Sequence, residues 1–368
     1  MASHLDPNHR RQSFHRAPSL GSSGQERRRK QALEAQKQRR THAIEAARSS
    51  FRDLDIMEDL SVAESDSEGE AVPERFQDAE DKATPVIAKA KRKSHKPKFR
   101  AWAKNLLCQA ETLDLRHSLP EALERDWRLS VCPKGKRCLL ATTTEGAEGN
   151  TILYSRVAGR TLARLRTVLP PDCLFDAVWD SSNSVLWILD LMKWKGQYMV
   201  NCEAEMRAFF VASKLSELPT QPYLPPDPSA SATRPSSRPT LVLPVPSLPP
   251  PLTPSAILPL LNSLSAPSTM PCIVFAPMLS PDSSQPAFRA QTMQIPFISE
   301  GLLLYVSSAH YESGSTPLVG WVPCEVKEPE ARDAEGTERL KKLVEEWQGR
   351  GGEAAIALRG EEVQMDGA

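Results

Sequence analysis

Gly314-Ser-Thr-Pro-Leu-Val-Gly-Trp321 is the stretch on which the reading of this chain depends. It follows a tyrosine-bearing apolar segment, Leu302-Leu-Leu-Tyr305, and reads as a turn that ends on a tryptophan. An indole fixed at the end of a strand offers a flat π surface, and a cationic heterocycle gains most from such a surface. Taken alone, a tryptophan so placed is more often a core residue than a ligand platform, so its role is decided by the rest of the sequence.

The chain has 368 residues and 32 prolines, 19 of them between Pro219 and Pro286. Setting aside that tract and the polar N-terminal hundred leaves enough chain for one sizeable core. Lys+Arg and Asp+Glu balance at 46 each. The distribution is more telling: basic from Arg27 to Arg52, acidic from Asp53 to Asp81, basic again from Lys89 to Arg100. The seven cysteines contain no C-x-x-C pair, which argues against a zinc site and a disulfide scaffold. Four of the seven histidines fall in the first 42 residues and form no metal-ligand pattern. No segment has the roughly 20 apolar residues of a membrane span, and no apolar leader opens the chain, so a soluble intracellular protein is expected.

Residues 1–24 are polar and expected to be disordered. From Gln25 to Phe51 there is neither Gly nor Pro, and ERRRKQALEAQKQRRTHAIEAARSSF is rich in helix formers. That helix, taken over 25–52, is polar nearly all round, so it is expected to stand apart from the domain and to fold on an acidic partner. Residues 53–98 read as a charged, disordered linker. From 99 to 325 a folded domain is expected. Leu106–Leu123 is helix or mixed structure, and then come β patterns such as Leu174–Trp179 and the wholly apolar Val185-Leu-Trp-Ile-Leu189. Glu203–Leu218 reads as a helix with Met206, Phe209, Phe210 and Leu215 inward. Within the domain, 219–287 is expected to be a disordered Pro-rich insertion with at most a short strand at Cys272–Phe275. Residues 326–368 hold a last helix and a tail.

Four segments carry a resemblance: VCPKGKR (Val131–Arg137), LDLMKWKG (Leu189–Gly196), Phe209-Phe-Val-Ala-Ser-Lys214 and HYESGSTPLVGW (His310–Trp321). In order and spacing they resemble the snurportin family, import adaptors for spliceosomal small nuclear ribonucleoproteins, apart from the added Pro-rich tract. The resemblance implies an α+β fold of two packed, mainly antiparallel sheets, like the nucleotidyltransferase domain of capping enzymes, preceded by a separate importin-β-binding helix. It implies binding of the trimethylguanosine cap of U snRNA, with Trp321 stacked on the base. Cys132, Gly135, Lys136 and Arg137 match family positions near the cap, Gly135 allowing close backbone approach, and Arg156 stands where the family has a phosphate-contacting lysine. The family's second tryptophan, set against the methylated N2, has no counterpart in Leu107-Cys-Gln-Ala-Glu111, so Trp102 is the candidate substitute by a different register. Arg27, Arg28, Arg29, Lys30, Lys37, Arg39 and Arg40 would meet importin-β.

The expected function is therefore a shuttling adaptor, present in cytoplasm and nucleus, that joins capped snRNA to importin-β and returns with an exportin. No cofactor, metal or membrane is expected. Two alternatives remain open: a general cap- or RNA-binding scaffold, and a capping-type guanylyltransferase. The latter needs a lysine in a K-x-D-G motif, and the sole Asp-Gly, Asp366-Gly367, lacks it.

Overall fold

The computed structural model describes residues 21–60, 101–144, 149–224, 239–264, 266–278, 287–325 and 336–350. The chain divides into two units, Met1–Glu34 with Lys98–Ala368, and Ala35–Pro97. The described part of the second unit, 35–60, is all helix, continuous in sequence with helix α1 (Gly21–Leu60). The helix expected over 25–52 runs over 21–60, so the disorder expected at 21–24 and 53–60 is corrected to helix, and the rest of those two stretches, 1–20 and 61–98, lies outside the described residues. Among the described residues, no helix is long and apolar enough to cross a membrane.

In the first unit, two sheets share a core. One has five strands in the order β1 (Cys108–Thr112), β15 (Gly314–Pro323), β14 (Ser299–Val306), β2 (Trp127–Pro133), β11 (Ser247–Leu248). The other runs β10 (Leu241–Pro244), β7 (Val185–Trp194), β6 (Leu174–Asp180), β3 (Lys136–Thr142), β4 (Thr151–Ser155), β5 (Thr161–Leu165), with β8 (Gln197–Tyr198) paired to β7. Within these sheets β1–β15 and β10–β7 are parallel and the remaining pairs antiparallel. The expected α+β fold of two mainly antiparallel sheets is what forms.

Strand β7 shows how sequence sets this layering. Val185, Trp187 and Leu189 enter the core shared with Leu129, Val131 and Leu302–Leu304, whereas Leu186 and Ile188 join a second core with Val211 and Leu215. A strand apolar at every position is thus covered on both faces. The second core is closed by helix α3 (Ala204–Ser216); a one-turn α2 lies at Leu123–Asp126. The inward face of α3 is Ala204, Arg207, Val211 and Leu215, and Met206 and Phe209 are exposed. Expecting both inward was mistaken, because the helix is oriented by Arg207, which is buried and forked onto Asp190 at 2.8 and 2.9 Å.

Other expectations are corrected. Gly314–Trp321 is not a turn but the body of β15, between β1 and β14. Pro317 has no N–H to give, and the β1–β15 register shifts at that point, Ala110 facing Thr316 and Glu111 facing Gly320. Of the two readings of Leu106–Leu123 the mixed one holds, with a strand at Cys108–Thr112. The Pro-rich tract is not simply a disordered insertion. Leu241-Val-Leu243 is buried as β10, Pro254 opens helix α4 (Pro254–Ser263), and β12 (Ser268–Met278) pairs with β13 (Ala287–Phe297) beside β9 (Gln221–Pro222). The apolar runs are long enough to pair even with Pro271 and Pro277 inside β12, and Pro254 at the first turn of α4 is compatible with a helix, which also contains Pro259. The outer edge of β10 is satisfied by Gln221, whose side chain exchanges two hydrogen bonds with the Val242 backbone at 2.9 and 2.8 Å.

Helix α1 is also not separate from the domain over its first turns, and within the first unit it docks. Gln25 donates to the Thr112 carbonyl at 2.7 Å and accepts from the Asp114 N–H at 3.1 Å. Arg28 pairs with Glu111, and Lys30 reaches Glu121 at 2.7 Å. Arg29 is buried, 4.5 Å above the Trp127 ring, and donates to the Pro317 carbonyl at the bulge. Residues 25, 29, 32 and 33 share one helical face. That face docks by hydrogen bonds and charge, which an apolar-stripe criterion does not register.

Candidate functional site

A cleft of about 1060 Å³ opens where the two sheets meet. One wall is the β2–β3 turn, Cys132 with Lys134–Arg137. Another is the end of β4, Ser155–Val157, with Leu162 and Ala163 of β5. A third is the end of β6 and its turn, Val178–Asn183; Pro267, Pro296–Ile298, Glu300 and Trp321 close the remainder. Residues scattered over nearly 190 positions thus converge because the antiparallel register sets β3 between β6 and β4, and β14 between β15 and β2.

The tight turn at Gly135 is required by its neighbour strand. A Cβ there would stand 2.7 Å from Val178 Cγ1 and 2.8 Å from the Trp179 carbonyl oxygen. Close packing of this turn on β6 thus requires a residue without a Cβ. On the far side, Asp180 organises its turn by accepting from the Ser182 and Asn183 backbone N–H groups at 3.0 and 3.2 Å and from the Asn183 amide at 2.7 Å. That amide also donates to the Pro296 carbonyl at 3.2 Å, and Lys134 N–H donates to the Ile298 carbonyl at 2.7 Å.

The cations of the cleft are of two kinds. Lys134 and Lys136 are exposed. Arg137 and Arg156 are drawn into the wall. Arg137 is forked onto buried Asp176, Nε to Oδ1 at 2.9 Å and Nη2 to Oδ2 at 2.6 Å. Burial opposes its charge, and Asp176 outweighs burial, so its pKa rises well above the ordinary value. Its charge is thus largely spent within the protein. Arg156 is 8% exposed. Burial, then repulsion from Arg137, lowers its pKa to about 10. An anion entering the cleft would offset both effects.

Trp321 lines the cleft but is only 7% exposed. Its six-membered ring lies on Gly301, where a Cβ would be 2.6–2.7 Å from Cη2 and Cζ2. The indole thus borders a cavity without presenting an open face. Of the residues singled out in the sequence, Cys132, Gly135, Lys136, Arg137, Arg156 and Trp321 come together here. Trp102 does not: it is half exposed and packs edge-on against Tyr154, ring centres 5.3 Å apart, beside the core of Ala103 and Leu107. Lys134, Trp179, Asn183 and Ile298 were not identified as site residues. Lys134 sits inside the VCPKGKR segment, but nothing in the local sequence of the others shows that a turn or hairpin end will face the cleft.

Cys132 at the cleft wall is buried, and burial pushes its thiol up to about 12, as it does that of Cys108. A thiol raised from 9.0 adds stability that is complete below that value and is lost as pH rises towards the folded pKa. We expect Cys108, Cys132 and Cys138 to resist a disulfide reagent at about pH 8, with part-exposed Cys202, Cys272 and Cys324 reacting first. Melting temperature should hold to about pH 9 and then fall. Mapping the labelled cysteines by mass checks this, and Cys132 labelled as fast as Cys272 would count against it.

Among solved structures, the chain is similar to the crystal structure of the ligase domain from M. tuberculosis LigD, at 11% identity and a TM-score of 0.33. That likeness covers 60% of this chain and 59% of the other, and is too slight to bear on chemistry. A family model described as "Snurportin1, m3G cap-binding domain" matches residues 114–223. Three of the cleft's walls fall inside that range, and Trp321 and Pro296–Ile298 lie beyond it. Over residues 114–223 the chain is therefore similar to the cap-binding domain described for snurportin.

Proposed function

We propose that this protein is a non-catalytic adaptor that binds the trimethylguanosine cap of U snRNA in the cleft and presents the basic helix to importin-β, shuttling between cytoplasm and nucleus with an exportin for its return. The observation that carries the reading is the cleft itself: a tryptophan and the cations Lys134, Lys136 and Arg156 line one cavity, three of whose walls fall within the residues that match a cap-binding family model. A guanine methylated at N7 is cationic and gains from an indole, and the triphosphate bridge gains from the cations. Catalysis by guanylyl transfer has no lysine nucleophile in a K-x-D-G setting to support it.

For the carrier, the residues fall into two groups. Arg28, Arg29 and Lys30 are engaged with the domain, and Arg27, Lys37, Arg39 and Arg40 are exposed. Importin-β would have to compete for the first group and could meet the second directly. Replacing Lys37, Arg39 and Arg40 together by Glu should abolish importin-β pull-down. Cap affinity, read by tryptophan fluorescence with a trimethylated cap analogue, should stay as it was. Loss of both would contradict a two-module adaptor, and retention of importin-β would place the carrier elsewhere.

A further inference from the structure

The Pro-rich tract contributes a two-stranded ribbon, β12 with β13, that is flanked on one side only. Its sheet runs β13, β12, β9, and no described strand lies beyond β13. Backbone alternation shows where the groups of that edge point. Tyr223, just after β9, donates its N–H to the Phe275 carbonyl at 2.9 Å. Odd-numbered residues of β12 therefore face β9, and even-numbered ones face β13. Pro271 and Pro277 are odd, so their missing N–H groups cost the β12–β13 ladder nothing. The register sets Val274 against Gln291 and Cys272 against Met293, so the odd residues of β13 bond to β12. Phe288, Ala290, Thr292 and Gln294 are left to turn their N–H and C=O groups outward.

An open edge of this kind invites another strand, and proteins guard against it with charge. Arg289 is the one charged residue in Ala287–Phe297, and Ser268–Met278 has none. The exposed face of the ribbon carries Ile273 and Phe275 of β12 beside Phe288 and Thr292 of β13, all uncharged. At one end the edge is closed, since Pro296 has no N–H to offer and its carbonyl accepts from the Asn183 amide. The open length is thus Phe288–Gln294, centred on Gln291, and it is complementary to itself. Laid antiparallel on a second copy about Gln291, Phe288 meets Gln294 and Ala290 meets Thr292, each pair exchanging both backbone bonds. Arg289 then meets Met293 rather than another arginine, and Gln291 meets its own copy. A glutamine amide both donates and accepts, so it can pair with itself, which a charged residue at that place could not do. Phe297, packed edge-on against Trp187, roots the strand at one end, so antiparallel pairing sets the two roots apart.

We propose that β13 pairs antiparallel with β13 of a second copy of this chain, about a dyad at Gln291, joining two three-stranded sheets into one. The inference is independent of the cap-binding reading. The seam is short, so the dimer is a weak one that forms as concentration rises.

Sedimentation velocity on the full chain, from about 1 to 100 μM, should show a monomer giving way to a dimer. Thr292→Pro removes an outward N–H and leaves the bonds to β12 intact, so it should weaken the dimer at least about tenfold. Gln291→Lys and Gln291→Glu each bring like charges together at the dyad, and each alone should sediment as a monomer. Mixed in equal amounts they should restore a dimer, because Lys then faces Glu. Melting curves should show all three variants folded as the parent is. A parent that stays monomeric throughout overturns the proposal and leaves the edge to a partner of another kind. Dimers that survive in all three variants overturn it by placing the contact elsewhere, as does a dimerising parent whose Lys and Glu variants fail to pair when mixed.

Discussion

Trp321→Ala is expected to remove measurable binding of a trimethylated cap analogue, and to lower stability at the same time. The two effects have separate origins. Stacking of a base on an aromatic face contributes roughly 1–3 kcal/mol, an affinity loss of about 5- to 150-fold. Truncating a buried tryptophan costs about 3–5 kcal/mol through the cavity it leaves, and at 7% exposure Trp321 belongs to the core shared by the sheets. The alanine variant alone would therefore confuse a lost platform with a loosened fold. Trp321→Leu separates them: it keeps apolar volume over Gly301 but has no π face to offer the cation. A cooperatively melting Trp321→Leu protein should still lose at least about fivefold in affinity. If it binds as the parent does, the indole is a core residue and the base lies elsewhere in the cleft. The low exposure has a further consequence, because a stacked base needs more of the ring than the free cleft shows. Binding should therefore displace a neighbouring side chain and quench tryptophan emission in a slower phase than the encounter step.

Much of this arrangement could be read from the chain because it depends on local alternation. Val185–Leu189 announces a strand covered on both faces, and Asp180-Ser-Ser-Asn183 announces its turn. Trp321, Lys136 and Arg156 could be gathered only through resemblance, since no local rule brings positions so far apart together. What escaped reading depends on partners distant in sequence. Cys108–Thr112 has too few residues to show a period, and it becomes a strand by pairing in parallel with β15, some 200 residues on. Leu241–Leu243 looks like part of a low-complexity tract until β7 offers an edge. Helix α1 looks unable to dock because its buried face includes Gln25 and Arg29, which bind through a strand edge and an indole. Trp102 is not among the residues that line the cleft, its ring lying edge-on against Tyr154.

The role of Arg137 can be decided by experiment, because its two readings predict opposite results. The resemblance implies a place for Arg137 beside the cap, whereas the geometry shows an arginine forked onto Asp176, which is 0% exposed. Tyr311 extends the network, its hydroxyl accepting from the Cys108 N–H at 3.0 Å and donating to Asp176 at 3.4 Å. Removing one partner of a buried pair strands the other charge, at a cost of about 3–5 kcal/mol. A domain of this size has roughly 5–15 kcal/mol in all, so Asp176→Ala should lower the melting temperature by on the order of 10 °C. Replacing both partners by apolar residues, Asp176→Leu with Arg137→Met, leaves no stranded charge and should recover most of that loss. Cap affinity in the recovered double variant is the deciding measurement. Because Asp176 already balances Arg137, the pair adds little net field to the cleft. Affinity should fall less than in Arg156→Gln, which removes a cation that burial and Arg137 disfavour and an arriving anion would favour. A folded double variant that loses as much affinity as Arg156→Gln would show that Arg137 acts on the ligand, and that its fork onto Asp176 yields when the phosphates arrive.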